Sequence, residues 1–239
     1  MFNIALTAGH YMGTPGKRCL KALDPNETRE WWLNDRVADK VEKLLEGYTG
    51  YKLLRTDDTT GATDVDVYDR VKSANDFGAD FYLSIHHNAG IEGGTGGGIV
   101  AIVAKNPSGE ALEWQKELYN ALIAATGLKG NRATPLYKGN YIEVYRTKMP
   151  AVLLELGFMD SATDVPVILT EEFADKCAAA IVKVLVERGG LKEKPVKEEN
   201  TPGKIYRVQV GAFYNEQYAK DLKKKLQAAG YADAFIVST

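Results

Sequence analysis

The stretch Phe81-Tyr82-Leu83-Ser84-Ile85-His86-His87-Asn88 constrains this chain more than any other. Five apolar or small residues run straight into two histidines and an asparagine, and a glycine-rich loop from Gly90 to Gly98 follows. This is the pattern of a buried strand whose carboxyl end delivers polar groups to a crevice. Comparable runs occupy residues 3–7, which lead into Ala8-Gly9-His10, then residues 51–55, 99–104 and 151–155. The run Ala151-Val152-Leu153-Leu154-Glu155 is apolar on both faces, as a central parallel strand should be. A further strand is expected over residues 141–145.

Helical spacing separates these runs. Leu33, Val37, Val41, Leu44 and Leu45 recur by three and four, with Asn26 or Thr28 as the expected cap. Val67, Val71, Ala74 and Phe77 mark a second helix, stopped by Gly78. Ser108 begins a third, with Leu112, Leu118, Leu122 and Ile123 inward, and it ends near Gly127. Phe173, Cys177, Ile181, Val184 and Leu185 define a fourth, closed by Gly189-Gly190. Strands alternating with helices imply right-handed crossovers and an α/β fold, a mostly parallel sheet with helices on both faces. In such sheets ligands gather outside the carboxyl ends of the strands. His10, His86 and Glu155 each fall at such an end.

The composition changes over residues 189–203, where lysine, glutamate and proline replace nearly everything apolar. This reads as a linker, able to span roughly 20 Å as flexible chain. It separates a first domain, residues 1–188, from a small unit, residues 204–239. That unit reads as one βαβ motif, with Tyr206, Val208 and Val210 on a strand and Asn215 capping a helix that carries Tyr218, Ala219, Leu222 and Leu226. Gly230 ends the helix and residues 234–237 form a last strand. Such a unit is smaller than the roughly 40 residues usually needed to fold unaided.

With 30 basic and 32 acidic residues, the formal charge of −2 provides no field for nucleic acid or an anionic membrane. Cys19 and Cys177 make no C-x-x-C pair and read as reduced thiols. The amino terminus lacks a basic stretch followed by a long apolar one, and no run reaches the length of a membrane span. Synthesis in the cytoplasm without a signal peptide is therefore expected.

The chain has only 3 histidines, and two of them end strands. Glu30 lies on the inward stripe of the first helix together with Asn34, where a carboxylate is costly unless paired or metal-bound. Two imidazoles and one carboxylate make a catalytic zinc set that keeps a fourth position for water. Glu27, one turn earlier, is the rival to Glu30, and either could instead be a solvated helix-start carboxylate favoured by the helix dipole. A further carboxylate, free of metal, is needed to move the proton, and Glu155, ending a wholly apolar strand, meets that description. Arg70, beside Val71, either braces a carboxylate or meets substrate. Strand alternation turns His87 away from His86.

The ordered series Ala8-Gly9-His10, Glu30-x-x-x-Asn34, Arg70 ahead of Ala79-Asp80, Ser84-Ile85-His86-x-Asn88 and Pro150-Ala151-Val152-Leu153-Leu154-Glu155-Leu156-Gly157-Phe158-Met159-Asp160 resembles the zinc-dependent N-acetylmuramoyl-L-alanine amidases of the amidase type 3 family. The resemblance covers residues 1–188. It implies zinc held by His10, Glu30 and His86, Glu155 as the catalytic carboxylate, and a six-stranded mixed sheet. Arg70, Asn34 and Asn88 become candidates to touch substrate or to brace the ligands. The substrate implied is the amide joining N-acetylmuramic acid to L-alanine in peptidoglycan. Thr7 departs from the aspartate common in the family.

The tail from Tyr206 to Phe213, with its helix and residues 234–237, is similar to the first half of a SPOR peptidoglycan-binding module. A half module implies that two chains pair their tails in a homodimer. The expected setting is a bacteriophage endolysin acting at the wall once the membrane is breached. The alternatives are a mother-cell lytic amidase of a spore former or a zinc carboxypeptidase acting on the stem peptide.

Overall fold

The computed structural model describes residues 1–195 and 209–237. They fall into two compact units, divided between Lys194 and Pro195. In chain order the first unit contains β1 (Phe2–Ala8), α1 (Glu30–Leu45), β2 (Tyr48–Thr49), β3 (Tyr51–Arg55), α2 (Val67–Phe77), β4 (Phe81–Asn88) and β5 (Ile99–Ala104). It continues with α3 (Gly109–Thr126), β6 (Leu136–Gly139), α4 (Ile142–Tyr145), β7 (Ala151–Phe158), α5 (Val165–Ile168), α6 (Glu171–Gly189) and β8 (Lys192–Glu193).

Among the described residues, six strands form one sheet in the order β3-β1-β4-β7-β5-β6. The pairs β1–β3, β1–β4, β4–β7 and β5–β6 are parallel, and β5–β7 alone is antiparallel. The expected α/β class and mostly parallel sheet are therefore present. The antiparallel pair arises because the glycine loop returns the chain from β4 to run against β7.

One face of the sheet carries α1, α3 and α6 over a continuous core that includes Ile4, Leu6, Phe81, Leu83, Ile85, Val152 and Leu154. Trp114 of α3 stacks on Phe81 with ring centroids 3.9 Å apart. The other face carries α2 and α4 over a smaller core of Ala5, Tyr82, Val100, Ile102, Ala151, Leu153 and Phe158, reached by Ala74 and Val144. Alternation along β4 and β7 therefore puts Tyr82, Ser84, His86 and Glu155 on the smaller face.

Several expectations need correction. Residues 141–145 are the short helix α4, not a strand. Glu143 and Val144 are both buried, which consecutive strand residues on a one-sided edge would not be. The edge strand is instead Leu136–Gly139. The first helix begins at Glu30 with Arg29 at its cap and no side-chain cap bond. Neither Asn26 nor Thr28 caps it, because the backbone N–H groups of both donate to Asp24 in a preceding turn. Ser108 does cap α3, accepting from Ala111 N, and Gly78 and Gly127 close α2 and α3 in left-handed conformation.

Of the stretch expected as a linker, residues 196–203 lie outside the described residues. Gly189 completes α6, and β8 pairs antiparallel with β2, so residues through Lys194 belong to the first unit. In the second unit, Asn215 caps α7 (Glu216–Ala228) and accepts from Gln217 N, as expected. Residues 234–237 form no strand, and the expected partner positions Tyr206 and Val208 lie outside the described residues. No residue of α7 is buried.

Candidate metal centre

The first loop reaches the sheet edge through a close backbone approach. A Cβ on Gly9 would lie 2.0 Å from the His86 ring, so only glycine allows the loop to press against it. The next residue, His10, has φ of 68°, a left-handed conformation that costs about 1–3 kcal/mol in a non-glycine residue. Arg70 holds it there. Its guanidinium donates to the carbonyls of Ala8 at 2.7 Å and His10 at 2.8 Å, and to Thr7 Oγ1 at 3.1 Å. Arg70 is buried, and these partners are backbone carbonyls and a hydroxyl, not the carboxylate it was expected to brace. Thr7, the departure in the sequence, accepts one of those bonds.

His10, Glu30 and His86 come together. Each offers a ligand atom, and these atoms lie within 4.8 Å of one another. Glu30 Oε1 is 3.3 Å from His10 Nε2 and 3.2 Å from His86 Nδ1, and the two rings meet edge-on at 5.0 Å. Glu30 is the first residue of α1, so its carboxylate sits in the favourable field of that helix's amino end. Its Oε2 is buried without a hydrogen bond, with Lys17 Nζ 3.6 Å away. Burial alone would raise the Glu30 carboxyl, but the bonds from His10 and His86 outweigh it and hold the group far below the ordinary carboxylate range. Glu27, the rival, instead pairs with Arg18 and Lys21 on the surface.

Two imidazoles and an ionised carboxylate with an orphaned oxygen form a donor set that fits a zinc ion, whose ligands are nitrogen and oxygen at about 2.0–2.2 Å.

Glu155 is half-buried and pairs in register with His86 across β4 and β7, on the same face. Both residues were expected at strand ends. The strands run on to Asn88 and Phe158, so both are recessed below the rim. Glu155 Oε2 has no hydrogen-bond partner. Burial pushes its carboxyl up to about 7, against the opposing charge of His86.

His87 points to the other face, as alternation requires. Its Nδ1 is 2.8 Å from Asn34 Oδ1, and burial lowers its pKa to about 3, so the ring is neutral. Asn34 also donates to the Gly9 carbonyl, tying α1 to the first loop. Asn88 bonds only locally through its side chain, to Ala89 N, while its carbonyl accepts from Met159 N. The glycine loop is pinned by Asp160, whose Oδ2 accepts from the backbone of Gly90, Ile91 and Glu92.

Sequence reasoning missed Glu143. It is buried on α4, with Oε2 3.3 Å from His86 Nε2, and its other oxygen accepts from Tyr82 and Ser84. The signal was a lone carboxylate between Ile142 and Val144, disguised when the segment was taken as a strand. Lys17, close to Glu30, carried no sequence signal.

The family model described as N-acetylmuramoyl-L-alanine amidase matches residues 4–187, and a SPOR domain model matches residues 201–239. Among relatives, a sporulation-specific N-acetylmuramoyl-L-alanine amidase of Bacillus subtilis is 28% identical over 236 residues, covering 97% of this chain and 83% of that protein. The N-acetylmuramoyl-L-alanine amidase CwlM of Bacillus licheniformis is 26% identical over 196 residues, covering 81% and 70%. The solved catalytic domain of CwlV from Bacillus (Paenibacillus) polymyxa var. colistinus superposes with a TM-score of 0.70 at 24% identity, over 80% of this chain and all of that one (100%). An amidase from Clostridium difficile 630 superposes at 0.68, again at 24% identity, over 78% and 95%. At these identities the structural likeness speaks for the fold.

Proposed function

Because the chain belongs to the N-acetylmuramoyl-L-alanine amidase family, we propose that His10, Glu30 and His86 hold a zinc ion while Glu155 moves the proton in hydrolysis of the lactyl–L-alanine amide. The enzyme is an N-acetylmuramoyl-L-alanine amidase, and its substrate is peptidoglycan. The observation that carries the zinc reading is the convergence of three donor atoms, from His10, Glu30 and His86, within 4.8 Å of one another. Zinc, when bound, supplies a Lewis acid that brings a coordinated water towards neutral pKa and polarises the scissile carbonyl.

The remaining work falls to this chain's own groups. Glu155, with a carboxyl near neutrality, can accept a proton at its free Oε2 and return it to the departing alanine amine. Arg70 and Gly9 keep the His10 loop against the His86 ring. Asn34 keeps His87 on the far face, out of the donor set.

Zinc content by mass spectrometry tests this together with dinitrophenyl labelling of digested walls. One zinc per chain and new amino-terminal alanine are expected, the latter lost on chelation. Label on a residue other than alanine would favour the carboxypeptidase alternative.

The second unit is read as the wall-binding part, and copies of it are proposed to pair as a homodimer. Sedimentation that stays monomeric at micromolar concentration would remove the pairing. Among the described residues no helix is long and apolar enough to cross a membrane. Of the two cellular settings, phage release and mother-cell lysis, a match along 97% of the chain to a sporulation-specific amidase favours the second. A transcript seen only on prophage induction would reverse that preference.

A further inference from the structure

Glu143 is buried beside the cluster and has no task in the reading above. From α4 its carboxylate closes over three side chains on one face of β4. Oε1 accepts from the Tyr82 hydroxyl at 2.9 Å and the Ser84 hydroxyl at 3.0 Å, and Oε2 lies 3.3 Å from His86 Nε2. Tyr82, Ser84 and His86 are spaced by two residues, so a single carboxylate spans a whole row of the strand. The other nitrogen of the His86 ring, Nδ1, faces Glu30 at 3.2 Å. The ring is thus held between two carboxylates, one inside the donor cluster and one behind it.

A neutral imidazole has one N–H and one lone pair, and the partner of one nitrogen decides which is which. A carboxylate can only accept. Oε1 of Glu143 already accepts from two hydroxyls, and the carboxylate so engaged turns its second oxygen to Nε2 as an acceptor. With Glu143 accepting from Nε2–H, the lone pair is left on Nδ1, the nitrogen that faces the cluster.

We propose that Glu143 is a positioning residue that fixes His86 as the Nε2–H tautomer and thereby presents Nδ1 to the metal. This rests on the zinc reading. Glu143 itself touches neither metal nor substrate in this role. Carboxylates behind a ligating histidine commonly contribute 10- to 100-fold to metal affinity. The competing account is that Glu143 only pins α4 to the sheet through Tyr82 and Ser84.

Three measurements on the full chain separate these. In zinc-loaded, 15N-labelled wild-type protein, the imidazole spectrum of His86 should show a proton on Nε2 and the metal on Nδ1. Glu143→Gln should weaken zinc binding by about 10- to 100-fold in competition with a chromogenic chelator. The double variant Tyr82→Phe, Ser84→Ala, which keeps the His86 contact, should lower the melting temperature of the metal-free protein yet leave zinc affinity within about threefold, well short of that loss. Equal zinc affinity in Glu143→Gln and wild type would overturn the proposal, as would equal weakening in the Gln and double variants. If Glu143→Gln does not fold, the wild-type spectrum decides, and a proton on Nδ1 of a protein that binds one zinc overturns this proposal alone. A wild-type protein that binds no zinc overturns it together with the zinc reading.

Discussion

On one face of the central sheet, α1, α3 and α6 bury an unbroken apolar layer in which Phe81, Leu83 and Ile85 are fully covered. On the other, α2 and α4 cover a thinner layer into which Tyr82, Ser84, His86, Glu143 and Glu155 are set. The same strand, β4, supplies both. Its odd-numbered residues up to Ile85 stabilise, and its even-numbered ones carry hydrogen bonds and charge. His86 and His87 make the contrast local. His86 lies between the carboxylates of Glu143 and Glu30, while His87, beside the amide of Asn34, is lowered by burial to about 3. A deep apolar face can fix the backbone firmly enough for the opposite face to hold groups that would be costly elsewhere.

This contrast predicts that damage to the two faces has opposite signatures. The largest effect on activity is expected on the thin face. Glu155→Gln should cut release of amino-terminal alanine by about 10²- to 10⁴-fold, with zinc content and melting temperature retained. Activity within about threefold of wild type, far inside that range, would break the contrast at its centre.

The largest effect on stability is expected on the thick face. Leu83→Ala removes a fully buried side chain and should cost about 2–5 kcal/mol in denaturant unfolding. Turnover per folded molecule, and its zinc, should survive. A variant that keeps its stability but loses its metal would mean that the faces are not separable.

A smaller effect comes from Cys177, on the buried face of α6 with its thiol pushed up by burial. It should resist a thiol reagent at neutral pH until the protein unfolds. Rapid labelling of the native protein would show that the thick face opens locally.

The smallest is a pH effect at Asp35, buried on α1 beside Arg55. Burial raises its carboxyl to about 6 in spite of the Arg55 ion pair. Because the folded state then holds a proton that the unfolded chain releases near pH 4, this group favours folding below that point and loses the contribution as pH rises through 6. The difference in stability between wild type and Asp35→Asn should therefore decline between about pH 4 and 6 and be flat above. A difference that grows with pH would contradict the assignment.

Much of this was legible in the sequence. Runs that are apolar on both faces, such as Ala151-Val152-Leu153-Leu154, can only be central strands, and the inward stripe of α1 exposed Glu30 as a carboxylate in need of a partner. The strand-end positions of His10 and His86 followed from the same periodicity. What was hidden depends on geometry that periodicity does not encode. A four-residue helix has too few turns to show a period, so α4 was taken for a strand and Glu143 was lost with it. The antiparallel β5–β7 pair is set by the return of the glycine loop, pinned by Asp160, 70 positions beyond Gly90. Arg70 could be placed on an inward face but not against the groups it braces, which lie at the end of β1 and on the loop after it.

The most direct test of the account is zinc stoichiometry measured alongside amidase turnover, on the protein as purified, after chelation and after zinc is restored. The account predicts one zinc per chain, loss of alanine release as the metal is removed, and recovery on return of zinc. Full turnover by protein stripped of metal would contradict it.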